Sequence, residues 1–119
     1  MLPPSEDLAR RKEVWSAMHL LWLDTDVEDY FDSAARTCTA TDYSLDELEE
    51  IYWHEVYPTM RSNLWSVAGE WAPFSEDGLA DLILKTYKPR RRVLFRKFRT
   101  YAFQTWARLR DHINQLRSA

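Results

Sequence analysis

A chain of 119 residues is the size of one domain and long enough to bury a substantial core. Two glycines, and fourteen leucines against eight valines plus isoleucines, argue against tight hairpins and for helix, while a lone cysteine, Cys38, excludes an internal disulfide. The formal net charge of −3 hides a division: residues 1–87 carry 6 basic and 18 acidic side chains, a net −12, whereas residues 88–119 carry 10 basic residues and one acid, Asp111, a net +9.

Taken in order, the chain begins with Pro3 and Pro4, after which Ser5 is a candidate N-cap with Glu6 and Asp7 in the first turn. The helix it opens is expected to reach about Leu23, with Leu8, Trp15, Met18 and Trp22 on one stripe and Val14 and Leu21 widening it. Thr25 and Glu28 have capping-box spacing. Val27, Tyr30, Phe31, Ala34, Ala35 and Cys38 follow at the most regular amphipathic spacing in the chain, and residues 37–42 read as the loop that ends this second helix. Ser44 and Glu47 form another capping box, with Tyr43 and Leu48 as its hydrophobic staple, and that helix is expected to stop before or at Pro58.

Met60, Leu64, Val67, Ala68 and Trp71 suit a fourth helix ended by Pro73. Ser75 is the candidate cap of a fifth, with Phe74 and Leu79 as staple and Leu82, Ile83, Thr86 and Tyr87 facing inward. Pro89 suits the first turn of a long last helix whose stripe is Phe95, Phe98, Ala102, Trp106, Leu109, Ile113 and Leu116. The expected fold is therefore all-α, a single orthogonal bundle of five to six helices over residues 1–119, with an acidic body (1–87) and a basic C-terminal helix (88–119).

The chemistry-bearing residues are few. Asp24, Asp26 and Glu28 have the 1-3-5 spacing of a calcium loop, but Asp29 and Ala35 stand where that loop needs Gly and Glu, so they read as acids at a helix start. His19, His54, His112 and Cys38 lack zinc-ligand spacing, and Cys38 falls on an apolar stripe. No metal and no cofactor is expected. Glu55 is different: at 100° per residue it falls close to Leu48, on a face otherwise made of Leu45, Leu48, Ile51, Tyr52 and Val56. A buried carboxylate must be neutralised or partnered, for instance by Arg61 or by backbone N–H groups.

The second notable segment is basic. Lys88, Arg90, Arg91, Arg92, Arg96, Lys97 and Arg99 surround Phe95 and Phe98, and Arg92, Arg96 and Arg99 share a helical face. Such a face can lie against the acidic body, bind an acidic protein, or neutralise phosphates. The reading favoured here is a non-enzymatic macromolecule-binding protein of the bacterial immunity or antitoxin kind, contacting a protein through Arg92, Arg96 and Arg99. The alternatives are a nucleic-acid binder using the same helix, and an enzyme using Glu55, Glu70 or His54.

Glu55-Val-Tyr-Pro58, the run from Asn63 to Trp71 and Phe74 resemble a family of small uncharacterised bacterial proteins. Arg11–Trp15 and Leu21–Asp24 are similar to its opening helix. The resemblance covers about the first two-thirds of the chain, and implies a bacterial, cytoplasmic origin but no activity. The odd cysteine and the lack of a basic–apolar leader at the N-terminus point to the same compartment. Far-UV circular dichroism is expected to show a helical spectrum with no more than a minor strand component.

Overall fold

The computed structural model describes residues 1–22, 28–63, 75–87 and 99–118. After a 3₁₀ turn over Pro4–Glu6, α1 spans Leu8–His19 and passes into a second 3₁₀ turn at Leu20–Trp22. Then come α2 (Glu28–Thr39) and α3 (Leu45–Ile51). A π-helical turn (Tyr52–Val56) runs directly into α4 (Tyr57–Asn63). The last two helices are α5 (Glu76–Thr86) and α6 (Arg99–Ser118). The fold is all-α, with no strand among the described residues. A radius of gyration of 13.4 Å matches the roughly 13.5 Å of a single folded unit of this length.

Helix α1 lies between α2 and α5 and also meets the π turn, while α6 makes the most extensive helix–helix interface, along α2. Buried on α1 are Val14, Trp15, Ala17 and Met18; α2 contributes Phe31, Ala34, Ala35 and Cys38, and α6 contributes Ala102, Trp106, Leu109 and Ile113. Leu116, expected on the same stripe, is 38% exposed, because the last turn faces α2 with Arg117 instead. The α5 face is also rotated from the expected one. Leu79, Ala80 and Ile83 are buried with Leu84 packed beside them, while Leu82, Thr86 and Tyr87 are half-buried.

Ser44 Oγ accepts from the Glu47 amide and the Glu47 carboxylate accepts from the Ser44 amide, so the capping box forms in full, and Tyr43 and Leu48 are both buried in the core. Ser75 Oγ likewise accepts from the Gly78 amide. Ser5, by contrast, is not a cap. It is drawn into the 3₁₀ turn that starts at Pro4, and α1 begins after Asp7, whose side chain makes no capping bond. The Thr25 box, the Phe74 staple and most of the fourth-helix stripe lie outside the described residues. Helix α2 also continues three residues into the expected loop, since burying Cys38 at the end of the stripe outweighs the weak propensity of its threonines.

The largest departure is at Pro58, which does not stop the helix. Tyr57 N–H bonds the Tyr52 carbonyl five residues back, widening one turn. That widening relieves the clash of the Pro58 ring with the carbonyl four residues earlier, at which an ordinary α-helix breaks. The result is one continuous central rod in which every residue from Ile51 to Met60 except His54 is buried. A segment apolar on all sides belongs inside the bundle, not on its surface.

Removing the Ser44 hydroxyl takes away the side-chain acceptor of the Glu47 amide at the start of α3. Ser44→Ala is expected to lower unfolding free energy by about 1 kcal/mol in urea titration, with an unchanged slope.

Candidate functional site

The π turn sends its side chains in two directions. Tyr52 and Trp53 face an aromatic wall: Tyr52 lies 5.5 Å from Trp106 and 6.5 Å from Trp22 between ring centroids, and Trp53 lies 4.7 Å from Phe103. The Tyr52 hydroxyl donates to the Ala102 carbonyl at 2.9 Å, and Trp106 Nε1 donates to Glu49 at 2.6 Å. Glu55 points the other way, into α1, and is 3% exposed.

There it meets Trp15 and Arg11. Trp15 Nε1 donates to Glu55 Oε1 at 2.9 Å, and Arg11 Nη1 stands 3.5 Å from the same oxygen. Arg11 is 1% exposed. Its Nη2 donates to the Leu2 carbonyl at 2.8 Å and its Nε lies 3.9 Å from Asp7, but Nε and Nη1 make no hydrogen bond. Asp7 in turn accepts from the Tyr43 hydroxyl, and the Arg10 guanidinium covers the Tyr43 ring at 4.5 Å. Arg61, the cation expected beside Glu55, has a side chain outside the described set. Arg11 takes that place.

Burial is the main force on the Glu55 carboxyl and pushes its pKa up to about 7; the Arg11 charge and the Trp15 hydrogen bond pull it down, and Glu50 and Asp7 add to the rise. Glu55 and Arg11 form the inner wall of a cleft of about 290 Å³, which Leu2, Pro4, Glu50 and Tyr87 help to enclose. The arrangement offers a buried cation and a carboxyl that changes charge near neutrality, at the edge of a small cleft.

The other sequence candidates are not brought to this place. His54 is exposed whereas Glu55 is buried, so the two do not form a pair. Glu70, Asp24, Asp26, Arg92 and Arg96 lie outside the described residues, as do the side chains of Glu28 and Arg99. His19 is buried with Nδ1 2.6 Å from the Ser16 carbonyl, and burial lowers its pKa. His112 stacks on Phe31, 6.1 Å between centroids. Cys38 is fully buried, and burial pushes its thiol up to about 12. Among the described residues no group of three His, Cys, Asp or Glu side chains is placed to hold a metal ion.

The described arginines of α6 make intramolecular contacts at the surface. Arg117 donates to the Tyr43 carbonyl at 2.8 Å and to the Cys38 carbonyl at 3.3 Å, at the end of α2. Arg108 stands 4.1 Å over the Phe31 ring, and Arg110 lies 3.5 Å from Asp111. From residue 99 onward the helix therefore lies on the body. Among the described residues no helix is long and apolar enough to cross a membrane.

Arg11 and Trp15 did carry a sequence signal that the stripe alone conceals. Leu8, Arg11, Trp15, Met18 and Trp22 are spaced by three, four, three and four, so Arg11 occupies a core position just as Glu55 does. Two opposite charges, each misplaced on an apolar face, are natural partners.

The model of a family described as a domain of unknown function, DUF7079, matches residues 9–119, so the likeness extends through the basic last helix. No curated protein and no solved structure matches the chain.

Glu55→Ala strands the buried Arg11 guanidinium and is expected to cost about 3 kcal/mol in denaturant titration; a loss below about 0.5 kcal/mol would mean the pair is dispensable. Glu55→Gln tests the charge separately. Because the folded pKa lies above the unfolded value of 4.5, the native state holds an extra proton between them, and the stability this lends at pH 4.5 is lost as pH rises to about 7. Between pH 5 and 8 the wild type should therefore lose up to about 3 kcal/mol more than the glutamine variant. Parallel pH profiles would place the Glu55 pKa near that of an ordinary carboxylate.

Proposed function

The chain belongs to the DUF7079 family, whose function is unknown, and we propose that it works by binding another macromolecule, without chemistry of its own, in the manner of bacterial immunity proteins and antitoxins. The observation that carries this reading is the distribution of charge. The described arginines of α6 beyond residue 99 are engaged by α2, by Phe31 and by Asp111. The chain's remaining concentration of positive charge is the seven basic residues from Lys88 to Arg99. Arg92, Arg96 and Arg99 are the proposed contact residues.

A protein partner suits that face better than a nucleic acid does. Helix α6 lies along α2, so a ligand reaching the start of α6 also meets the field of a body carrying −12. Over roughly one Debye length, about 8 Å at physiological salt, like charge weakens phosphate binding. An acidic protein can present a local carboxylate patch and pair it bidentately with arginine. The described candidates for chemistry support a non-enzymatic role: a buried thiol held protonated is a weak nucleophile, and Glu55 is engaged by Trp15 and Arg11. A cytoplasmic location belongs to the same proposal.

Co-expression with the product of the adjacent gene, followed by titration at two salt concentrations, is expected to give a salt-sensitive complex. The triple variant Arg92→Ala, Arg96→Ala, Arg99→Ala should weaken it at least about tenfold. Micromolar binding of single- or double-stranded oligonucleotides at about 150 mM salt, with a steep salt slope abolished by the same variant, would make nucleic acid the partner instead.

A further inference from the structure

We propose that the cleft between the N-terminal segment and the π turn is a binding site for a small zwitterion of the α-amino-acid type, its carboxylate taken by Arg11 and its ammonium by Glu50. This goes beyond the macromolecular contact, from which it is distinct in residues and in chemistry.

The first support is the state of Arg11. Its guanidinium is 1% exposed, yet Nε and Nη1 have no hydrogen-bond partner, and its carboxylate neighbours Glu55 and Asp7 stand at 3.5 and 3.9 Å. Those distances give ion pairing without the directed bonds that a buried guanidinium needs. The one directed bond, from Nη2, goes to the carbonyl of Leu2, a residue 55% exposed. A backbone carbonyl on so exposed a residue is a displaceable acceptor. A ligand carboxylate in its place gains a charge-assisted, two-pronged contact.

The second support is the sign of the surroundings. A plain anion entering the cleft meets Glu50, Glu55 and, behind Arg11, Asp7. A plain cation meets Arg11. A molecule bearing both signs a few bonds apart satisfies the inner guanidinium and the exposed Glu50 carboxylate together. Size is the third. About 290 Å³ is at the lower end of ligand sites and suits an amino acid with a medium apolar side chain, for which Leu2, Pro4 and Tyr87 provide the wall.

The test is a thermal-shift screen of the full chain against the twenty amino acids, then calorimetry on the best binder. Its two single-charge analogues follow (for leucine, 4-methylpentanoate and isopentylamine). Saturable binding is expected, with each analogue at least about tenfold weaker. Arg11 variants risk unfolding the core, so the decisive variant is Glu50→Gln, an exposed position whose folding circular dichroism can verify. It should weaken the amino acid about tenfold and leave the carboxylate analogue unaffected or slightly tighter. No saturable binding by any amino acid up to about 10 mM, equal binding of a single-charge analogue, or an unchanged Glu50→Gln affinity would each overturn the proposal.

Discussion

Glu55 and Arg11 are 44 positions apart, and neither can be buried in its charged form without the other. A carboxylate or a guanidinium taken out of water alone costs several kcal/mol, and their mutual attraction recovers that only when the geometry holds. The pair therefore fixes a relation between α1 and the central rod that apolar packing alone would leave free to slide. Trp15 reinforces it by donating to the oxygen that Arg11 faces. Asp7 and the Leu2 carbonyl extend it outward, so that the first residues of the chain are held on the body by the far side of the same guanidinium. The N-terminal segment, α1 and the rod are in effect joined at one cation.

The π turn makes that junction possible. In a regular helix Glu55 would follow the same face as Leu48, and Pro58 would end the element one turn later. Widening the turn accommodates the proline, keeps the rod continuous, and separates the aromatic residues that meet α6 from the acid that meets α1. The aromatic side then gathers Trp22, Tyr57, Trp53 and Tyr52 around rings from α6, in tilted and edge-on contacts that suit their quadrupoles. Both halves of the core meet at a five-residue segment.

Much of this was legible in advance because it is local. Capping at Ser44 and Ser75 depends on residues three positions apart, and the α2 stripe repeats regularly enough to be read directly. The buried position of Glu55 follows from the same angular arithmetic. What escaped was tertiary or depended on an irregular turn. Proline is a reliable helix stop only in a regular α-helix, and no composition rule announces a π turn that makes room for it. Arg11 stands at a core position of the α1 stripe, but only the tertiary fold shows which acid meets it. Ser5 failed as a cap because the two prolines before it shape the backbone more strongly than its hydroxyl does.

The packing of α6 along α2 also has a bearing on how the protein is made. Phe31, Ala34, Ala35 and Cys38 are made well before Ala102, Trp106, Leu109 and Ile113, and before the Arg117 side chain that bonds the end of α2. At about 5–20 residues per second, synthesis of the intervening stretch takes roughly 4–16 s. For that interval α2 can be covered by α1, which is already made, but not on the side that α6 will occupy. The α2–α6 interface can therefore close only after α6 has left the ribosome, and until then a chaperone has access to that side of α2.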